Sequence, residues 1–459
     1  MVTKAVVIAA PASGSGKTTV ATGLMGALRR AGHVVAPFKV GPDYIDPGYH
    51  GLAAGRPGRN LDPVLVGADR IGPLYRHGCE GCDIAVVEGV MGLFDGRISD
   101  ANPAPAAEGS TAQVAALLGA PVVLVVDVRG HSQSLAAVLH GFTTFDPEVR
   151  IGGVILNRVG SARHEQVLRD AAARVGLPVL GAVPRIAELA VPSRHLGLIP
   201  AVEHGAAAVA AVDAMTTLIA EHVDVAAIVE LATANVTVPA WDPGDAEATE
   251  SKPTIAIAGG SAFTFGYAEH RELLAAAGAE VVSFDPLHDE LPSGTAGLVL
   301  PGGFPEEYAE HLSANRSLLT HVADLARHGL PIHAECAGLL YLARSLDGHP
   351  MAGVVDVDAE FGPHLTLGYR DAVALTDSPL WSVGDRVTGH EFHRTRITGP
   401  AASTPAWGWR GPAGGSAREG VVSGSVHASY LHTHPAGNPA TVRRFVRAAA
   451  TFATEAAGV

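Results

Sequence analysis

Short apolar runs alternate with helical patterns along most of this chain. In the first half, runs typical of buried strands cover residues 4–10, 34–38, 83–87, 121–126, 151–156 and 179–183. Helical patterns separate these runs, and the alternation predicts a doubly wound α/β sheet of about six parallel strands. An Ala-rich stretch at residues 203–232 is predicted to be helical.

The periodicity is lost over residues 236–252, where Pro, Asp, Glu and Ser accumulate. This stretch predicts a linker between one domain at residues 1–235 and another at residues 253–459. The second domain resumes the βα alternation, changes after residue 358 to several short strands with turns, and closes with a helix from Pro439. The chain is therefore expected to contain two α/β domains.

Composition excludes several classes of protein. Of the 459 residues, 47% are hydrophobic and 17% are charged, which argues against disorder. The formal net charge of −14 makes a nucleic acid or an anionic membrane surface an unfavourable main partner. No signal peptide and no stretch long enough to span a bilayer is recognised, and 3 cysteines are too few for a disulfide framework. A cytoplasmic location is therefore expected. Cys79 and Cys82 are not assigned a role. The oligomeric state stays open, and a homo-oligomer is possible.

The sequence PASGSGKTT at residues 11–19 lies between the first strand and a helix. This context predicts a phosphate-binding loop, in which backbone N–H groups and Lys17 face the phosphates and Thr18 faces Mg²⁺. Pro11 stands where such loops usually have their first glycine. The prediction is a site for ATP and Mg²⁺, with nucleotide contacts from Ser13, Gly14, Ser15, Gly16, Lys17, Thr18 and Thr19.

Carboxylates and an amide follow other strands of the same sheet. Residues 39–63 read as a long Pro/Gly-rich loop, which is more often functional than structural. Asp43 in this loop is predicted to hold Mg²⁺ through water. Glu88 ends the strand beside the phosphate loop, where a carboxylate is well placed as a metal ligand or base, and Asp95 follows it. Asn157 is predicted to contact the adenine edge.

The stretch PIHAECAGLLYLA at residues 331–343 predicts a strand that turns sharply into a helix at Cys336. A thiol at such a corner is exposed to substrate, and the helix N-terminus is expected to lower its pKa. Gly302 and Gly303 follow an earlier strand and are predicted to direct N–H groups toward an oxyanion. His432 and His434 are later candidate bases.

This order of motifs resembles the class I glutamine amidotransferases, which release ammonia from glutamine and have a flavodoxin-like fold. The resemblance implies that Cys336 is the nucleophile, that His432 carries the proton, and that the N–H groups of Gly303 and Ala337 hold the oxyanion. The class usually has a Glu two residues after its histidine, but His434 occupies that position here. A dyad of Cys336 and His432 is therefore the expectation.

Taken together, the phosphate loop, GPDYIDP, EGVMGLFDG, PGGFPEE, AECAGLLYL, GHEFH and SYLHTH resemble the cobyrinate or hydrogenobyrinate a,c-diamide synthases. The resemblance implies ATP-dependent amidation of the a and c carboxylates of a corrin ring through an acyl phosphate, with glutamine and a carboxylated tetrapyrrole as substrates. It implies a nucleotide and Mg²⁺ site with the residues Lys17, Thr18, Asp43 and Glu88. The substrate is assigned to Lys39, Tyr44, Ile45 and Asp95.

Two alternatives remain. One is amidation of another acidic tetrapyrrole, such as a nickel sirohydrochlorin. The other is an ATP-switched binding protein of the partitioning type, but Ala12 and Ser13 stand where those proteins have an extra lysine, and Cys336 would have no role. The spacing of His390 and His393 would suit a metal, but without further ligands a structural use is favoured. Whether the substrate contains cobalt is left open.

Overall fold

The structure is a computed structural model that describes residues 3–98, 106–185, 193–194, 197–198, 201–244, 249, 251–399, 404–411 and 414–457. The chain forms two compact units, Met1–Trp241 and Asp242–Val459. The division lies inside the stretch predicted to be the linker, of which residues 245–248 and 250 are outside the described residues.

The first unit is built on a parallel sheet covered by helices. Its strands are β1 Lys4–Ala9, β2 Val35–Val40, β3 Arg59–Leu61, β4 Ile84–Glu88, β5 Val122–Asp127, β6 Ile151–Val159 and β7 Val179–Pro184, with a separate pair β8 Ser193–Arg194 and β9 Gly197–Leu198. Its helices are α1 Lys17–Arg30, α2 Asp46–Ala54, α3 Pro63–Val66, α4 Ala68–Gly78, α5 Thr111–Leu118, α6 Leu135–Thr144, α7 Ala162–Ala173, α8 Gly205–His222 and α9 Val225–Leu231, with a 3₁₀ turn at Ala201–His204.

The main sheet has the strand order β3-β2-β4-β1-β5-β6-β7, and all its neighbours are parallel. Strands β1, β2 and β4 are almost entirely buried, as expected for a sheet covered on both faces. The prediction of a doubly wound parallel sheet is confirmed. The carboxyl ends of β1, β2 and β4 bring the candidate nucleotide-site residues to one edge.

The prediction of one long loop at residues 39–63 is wrong, because the loop contains α2 and β3. The residues that indicated a loop are the start and stop signals of α2. Pro47 lies in its first turn, and Gly55 ends it with a left-handed φ of 71°. Pro and Gly at the two ends of a helix give the same local pattern as a run of turns.

Helix α1, which follows the phosphate loop, packs closely against α8. A Cβ atom at Gly23 would overlap with Ile219, and one at Gly26 would overlap with Thr216. Glycine at both positions therefore allows the two helix backbones to approach. The contact fixes the direction in which α1 leaves the phosphate loop.

The second unit combines a mostly parallel sheet with an antiparallel one. Its strands are β10 Thr254–Ala258, β11 Glu280–Phe284, β12 Thr295–Leu300, β13 Ile332–Glu335, β14 Ser345–Leu346, β15 His349–Pro350, β16 Asp358–Ala374, β17 Arg386–Thr398, β18 Trp407–Arg410, β19 Ser416–Glu419, β20 Val421–Ser423 and β21 Val426–Ser429. Its helices are α10 Ala268–Ala276, α11 Ala309–Ala314, α12 Arg316–Arg327, α13 Ala337–Leu342 and α14 Pro439–Ala457, with 3₁₀ turns at Pro305–Tyr308 and Pro435–Gly437.

The first of these sheets has the order β11-β10-β12-β13-β21-β20. The first five strands are parallel and β20 is antiparallel, so the order of the parallel strands is that of a flavodoxin-like sheet, as predicted. The other sheet runs β15-β14-β16-β18-β19, with β17 paired to β16. No helix among the described residues has the length and apolar character needed to cross a membrane.

Candidate functional sites

The phosphate loop leaves β1 and enters α1 through glycines in left-handed conformations. Gly14 has φ 77° and Gly16 has φ 96°, values that side-chain-bearing residues rarely adopt. The Lys17 ammonium donates to the carbonyl of Met91 at 2.6 Å. Burial and the nearby charge of Lys39 lower the pKa of Lys17. The loop thus has the backbone conformation and the cation expected of a phosphate site.

Asn157, at the end of β6, supports this loop from behind. Its amide nitrogen donates to the carbonyl of Ser15 at 2.9 Å. A Cβ atom at Gly16 would overlap with the same nitrogen. The adenine contact stays a prediction, and the structure adds a role in holding the loop.

A group of polar and charged side chains lies beside the loop, buried except for the half-buried Thr18. We call Thr18, Lys39, Asp46, His50 and Glu88 the carboxylate cluster. Lys39 Nζ lies 2.6 Å from Asp46 Oδ2 and 3.0 Å from Glu88 Oε1. The other Glu88 oxygen lies 2.6 Å from His50 Nε2, and Thr18 donates to Glu88 Oε1 at 2.6 Å. Glu88 and His50 are fully buried. The predicted residues Thr18, Lys39 and Glu88 are thus brought together.

The two carboxyl groups of the carboxylate cluster have pKa values that are shifted in opposite directions. Burial works to raise the pKa of Glu88, but the charge of Lys39 and the hydrogen bond from His50 outweigh it and hold that pKa well below its usual range. Burial, reinforced by the charge of Asp43, raises the pKa of Asp46 to about 7. Glu88 is therefore the permanent anion of the cluster, and Asp46 titrates near neutral pH.

The sequence prediction did not assign Asp46 and His50 to the site. Both lie on α2, one helical turn apart, so their side chains share a face. The signal for both residues is an Asp and a His four positions apart, which indicates a shared face only if the stretch is a helix. Recognising α2 would have placed both residues beside Lys39.

Of the other predicted residues in this unit, Asp43 accepts hydrogen bonds from the backbone N–H groups of Ile45 and Asp46 at 2.8 and 2.9 Å. It therefore holds the start of α2. Asp95 accepts from the backbone of Gly92 at 2.9 Å, in the turn that carries Met91. The metal role of Asp43 and the substrate roles of Lys39, Tyr44, Ile45 and Asp95 stay predictions.

A cavity of about 620 Å³ adjoins the phosphate loop. Loop residues form one side, and the end of β5 with the segment after it forms the other, with Asp127, Arg129 and His131. Arg129 and Arg158 both pair with Asp127, and Arg158 also donates to the carbonyl of Gly14 at 3.1 Å. The phosphate loop therefore opens onto a pocket that has charged side chains at its wall.

In the second unit, Cys336 lies at the corner between β13 and α13. Its backbone has φ 49° and ψ −100°, an uncommon conformation for a residue other than glycine. The Cys336 N–H donates to the carbonyl of Ser429 at 2.7 Å, which ties the corner to the neighbouring strand β21. This is the strained strand-to-helix turn that a nucleophile elbow requires.

The backbone N–H groups of Gly303 and Ala337 lie close enough to the Cys336 sulfur to act against a rise of the thiol pKa. They are the groups predicted to form the oxyanion site. The expected lowering of the thiol pKa is wrong, because burial and the charge of Glu306 raise the pKa of Cys336 more than these two N–H groups lower it. Cys336 is only 2% exposed, so loss of solvation dominates. Thiolate formation therefore needs a base.

His432 is fully buried and lies beyond the end of β21. Its backbone exchanges hydrogen bonds with that of His390 at 2.9 Å in both directions, so β17 braces the segment. His432 Nδ1 lies 3.6 Å from a carboxylate oxygen of Glu335, the residue before the cysteine. Sequence analysis did not assign Glu335 a role.

The other histidines considered as candidates have structural contacts. His434 Nδ1 accepts from the Ala436 N–H at 3.2 Å and caps the turn before α14. The His393 ring stacks on Tyr430 with centroids 3.7 Å apart. Within the described residues, no group of three or more His, Cys, Asp or Glu side chains is arranged to hold a metal ion.

Comparison with known proteins gives matches over both units. A sequence model described as the CobQ/CobB/MinD/ParA nucleotide binding domain matches residues 6–199, and one described as the CobB/CobQ-like glutamine amidotransferase domain matches residues 254–440. The hydrogenobyrinate a,c-diamide synthase of Mycobacterium tuberculosis is 64% identical, over 97% of this chain and 98% of its own length.

More distant relatives carry the same kind of name. A hydrogenobyrinate a,c-diamide synthase of Streptomyces coelicolor is 56% identical, over 96% of each chain. The cobyrinate a,c-diamide synthase of Gloeobacter violaceus is 42% identical, over 98% of each chain. These similarities extend through both units.

Proposed function

Because this chain belongs to the family of hydrogenobyrinate and cobyrinate a,c-diamide synthases, we propose that it amidates the a and c side-chain carboxylates of a corrin ring, using ATP and glutamine. The observation that carries this proposal is the pairing, in one chain, of a phosphate loop with a buried carboxylate cluster and a cysteine elbow with two N–H donors. The first supplies an activated carboxylate, and the second supplies ammonia.

In the first unit, the chemistry begins with an unreactive carboxylate. A substrate carboxylate oxygen attacks the γ-phosphorus of ATP, ADP leaves, and the product is an acyl phosphate. Ammonia then attacks the acyl carbon, phosphate leaves, and an amide remains. The N–H groups of the phosphate loop and Lys17 stabilise the negative charge on the transferring phosphoryl group.

The carboxylate cluster has the ligands that Mg²⁺ prefers. The Thr18 hydroxyl and the Glu88 carboxylate supply oxygen atoms that lie 2.6 Å apart. Thr18 follows Lys17 in the chain, and Glu88 ends β4, which pairs with β1, the strand before the phosphate loop. Thr18 and Glu88 would hold the ion directly and Asp43 through water, while Lys39 and His50 keep Glu88 ionised and oriented. Bound Mg²⁺ would neutralise charge on the ATP phosphates.

In the second unit, Cys336 sulfur attacks the amide carbon of glutamine, after His432 removes the thiol proton. The N–H groups of Gly303 and Ala337 bind the oxygen that becomes negative. The same proton moves to the leaving nitrogen, ammonia departs, and a thioester forms. Water then hydrolyses the thioester, giving glutamate and the free thiol.

We further propose that the corrin substrate is the cobalt-free hydrogenobyrinate. The relatives named for that substrate share 64% and 56% of residues with this chain, whereas the relative named for the cobalt-containing acid shares 42%. The three free cysteines, of which Cys336 must remain a thiol, and the requirement for ATP support a cytoplasmic location.

The test is mass spectrometry of the product after incubation of the purified protein with MgATP, glutamine and either hydrogenobyrinic or cobyrinic acid. Two carboxyl-to-amide conversions on the cobalt-free acid, each with one ADP and one glutamate, are expected. Conversion of the cobalt acid alone would contradict the substrate assignment. ATP hydrolysis without conversion of either acid would contradict the function.

Cys336→Ala separates the two halves of the reaction. The variant is expected to lose glutamine-dependent amidation and to keep amidation with an added ammonium salt, because only the source of ammonia is removed. Loss of both activities in a folded variant would contradict this division of roles.

A further inference from the structure

We propose that Glu335 is the positioning residue for His432 in the glutamine site. It would fill the role of the acidic residue that class I amidotransferases usually carry two positions after the histidine, where this chain has His434. The inference rests on the proposed roles of Cys336 and His432.

Glu335 presents its two oxygen atoms to different partners. Oε1 accepts from the backbone N–H of Thr433 at 3.1 Å and from the Thr433 hydroxyl at 3.0 Å, and it lies 3.3 Å from His333 Nε2. Oε2 lies 3.6 Å from His432 Nδ1. One oxygen is therefore fixed by the protein, which directs the other toward the imidazole.

Strand pairing brings these groups together. Glu335 is the last residue of β13 and is in register with Ser429, the last residue of β21. Cys336 follows Glu335 directly, and His432 lies three residues beyond Ser429. The nucleophile and the acid thus leave one strand end, while the base leaves the adjacent end.

His434 is not placed for this role. Its Nδ1 accepts from the Ala436 N–H, and its ring lies 4.1 Å from that of Tyr267, measured between centroids. Both contacts hold the turn that begins α14. The residue at the usual position of the acid therefore has a structural task.

The charge of Glu335 fits the proposal. Burial works to raise its pKa, but the neighbouring side chains of His333 and His432 outweigh burial and hold the pKa well below its usual range, so the carboxylate is ionised. An anion facing Nδ1 keeps a proton on that nitrogen and leaves Nε2 as the base. Such help matters here because burial disfavours the Cys336 thiolate.

The experiment compares Glu335→Gln with Glu335→Asp in the full chain. Glu335→Gln keeps the shape but removes the charge, and we expect kcat for glutamine hydrolysis to fall about 10²–10⁴-fold. KM for glutamine should stay within about threefold, and ammonia-dependent amidation should be unchanged, since neither depends on the base. Glu335→Asp should recover part of kcat. Alkylation of Cys336 by a glutamine-like diazoketone should slow in Glu335→Gln.

The matched control is Asp358→Asn, which removes an ion-paired carboxylate of the same unit that contacts Arg344 and Ser345. This control should keep glutamine hydrolysis. If Glu335→Gln does not fold, the kcat of Thr433→Val for glutamine hydrolysis tests the inference instead. This variant removes one hydrogen bond to Glu335 Oε1 and should lower kcat by about 5–10-fold.

An unchanged kcat in Glu335→Gln would overturn the inference. If that variant does not fold, an unchanged kcat in Thr433→Val would overturn it. Cys336→Ala identifies which hypothesis has failed. If Cys336→Ala still hydrolyses glutamine, the proposed function of the site is wrong. If it does not, while Glu335→Gln does, only the role of Glu335 is wrong.

Discussion

Lys39 and Glu88 are register partners on the parallel strands β2 and β4, and their side chains form an ion pair with Nζ 3.0 Å from Oε1. Both side chains are almost completely removed from solvent, at 5% and 0% exposure. A buried anion of this kind is tolerated only when it is paired. The nucleotide site therefore depends on the pairing of two strands.

Lys39→Met should destabilise the first unit by about 3–5 kcal/mol, because it leaves the buried charge of Glu88 uncompensated. The free energy of unfolding of this unit, from denaturant titration, is the measurement. Lys39→Met combined with Glu88→Gln should recover part of the loss without restoring ATP-dependent amidation. Equal loss of stability in the single and double variants would show that the pair is not coupled.

Gly16→Ala should lower affinity for ATP at least about tenfold, since a Cβ atom would overlap with Asn157 and the residue has a left-handed φ of 96°. Binding of ATP by calorimetry is the measurement. The matched control is Gly176→Ala, where φ is 73° but a Cβ atom would have nothing within 4 Å. Equal affinity of the two variants would contradict the specific role of the Gly16 contact.

Gly302→Ala should reduce glutamine hydrolysis by about a hundredfold or more, because the new methyl group would displace His432 and misalign the base. Ammonia-dependent amidation should remain. Gly266→Ala is the control, since Gly266 is exposed and has nothing within 4 Å of an added Cβ atom. The kcat for glutamate release is measured in each variant, and a Gly302→Ala value near that of Gly266→Ala would refute the steric argument.

Stability of the second unit should fall as pH rises from the ordinary pKa of a glutamate to about 7, owing to Glu419. Burial raises the pKa of Glu419 to about 7, despite hydrogen bonds from Ser429 and Tyr430. Between its ordinary value and 7 the folded state holds a proton that the unfolded state has lost, so stability declines across this range and levels off above it.

We expect the free energy of unfolding to decline by about 1–3 kcal/mol. Glu419 is partly exposed, so the decline should be smaller than for a fully buried carboxyl group. Calorimetric unfolding between about pH 5 and 8 measures it. In Glu419→Gln this contribution to the decline should disappear. An identical pH dependence in both proteins would assign the decline to other groups.

Much of the first site was predictable because its residues follow strands that are recognisable from their apolar runs. Parallel strands bring their carboxyl ends to one edge, so the sequence predicts that Thr18 and Glu88 lie close together. Asp46 and His50 were missed because Pro47 and Gly55, which bound a helix, also signal turns. Local residue preferences do not distinguish these two cases.

In the second site, the elbow and its N–H donors were predicted, but the sign of the Cys336 pKa shift was not. A helix N-terminus is visible in sequence, whereas burial depends on how the whole unit packs around the sulfur. Glu335 was overlooked for a related reason. Its contact with His432 arises from the pairing of β13 with β21, between residues almost a hundred positions apart in sequence.

The close approach of α1 and α8 bears on where this chain can be shortened. The sequence similarity to nucleotide-binding domains ends at residue 199, before α8 begins at Gly205. A fragment cut at that boundary would lack α8 and would uncover the glycine face of α1, which Met215 and Ile219 of α8 otherwise cover. Exposed apolar surface of this kind promotes self-association. The smallest fragment suited to separate expression of the nucleotide-binding half therefore extends past α8.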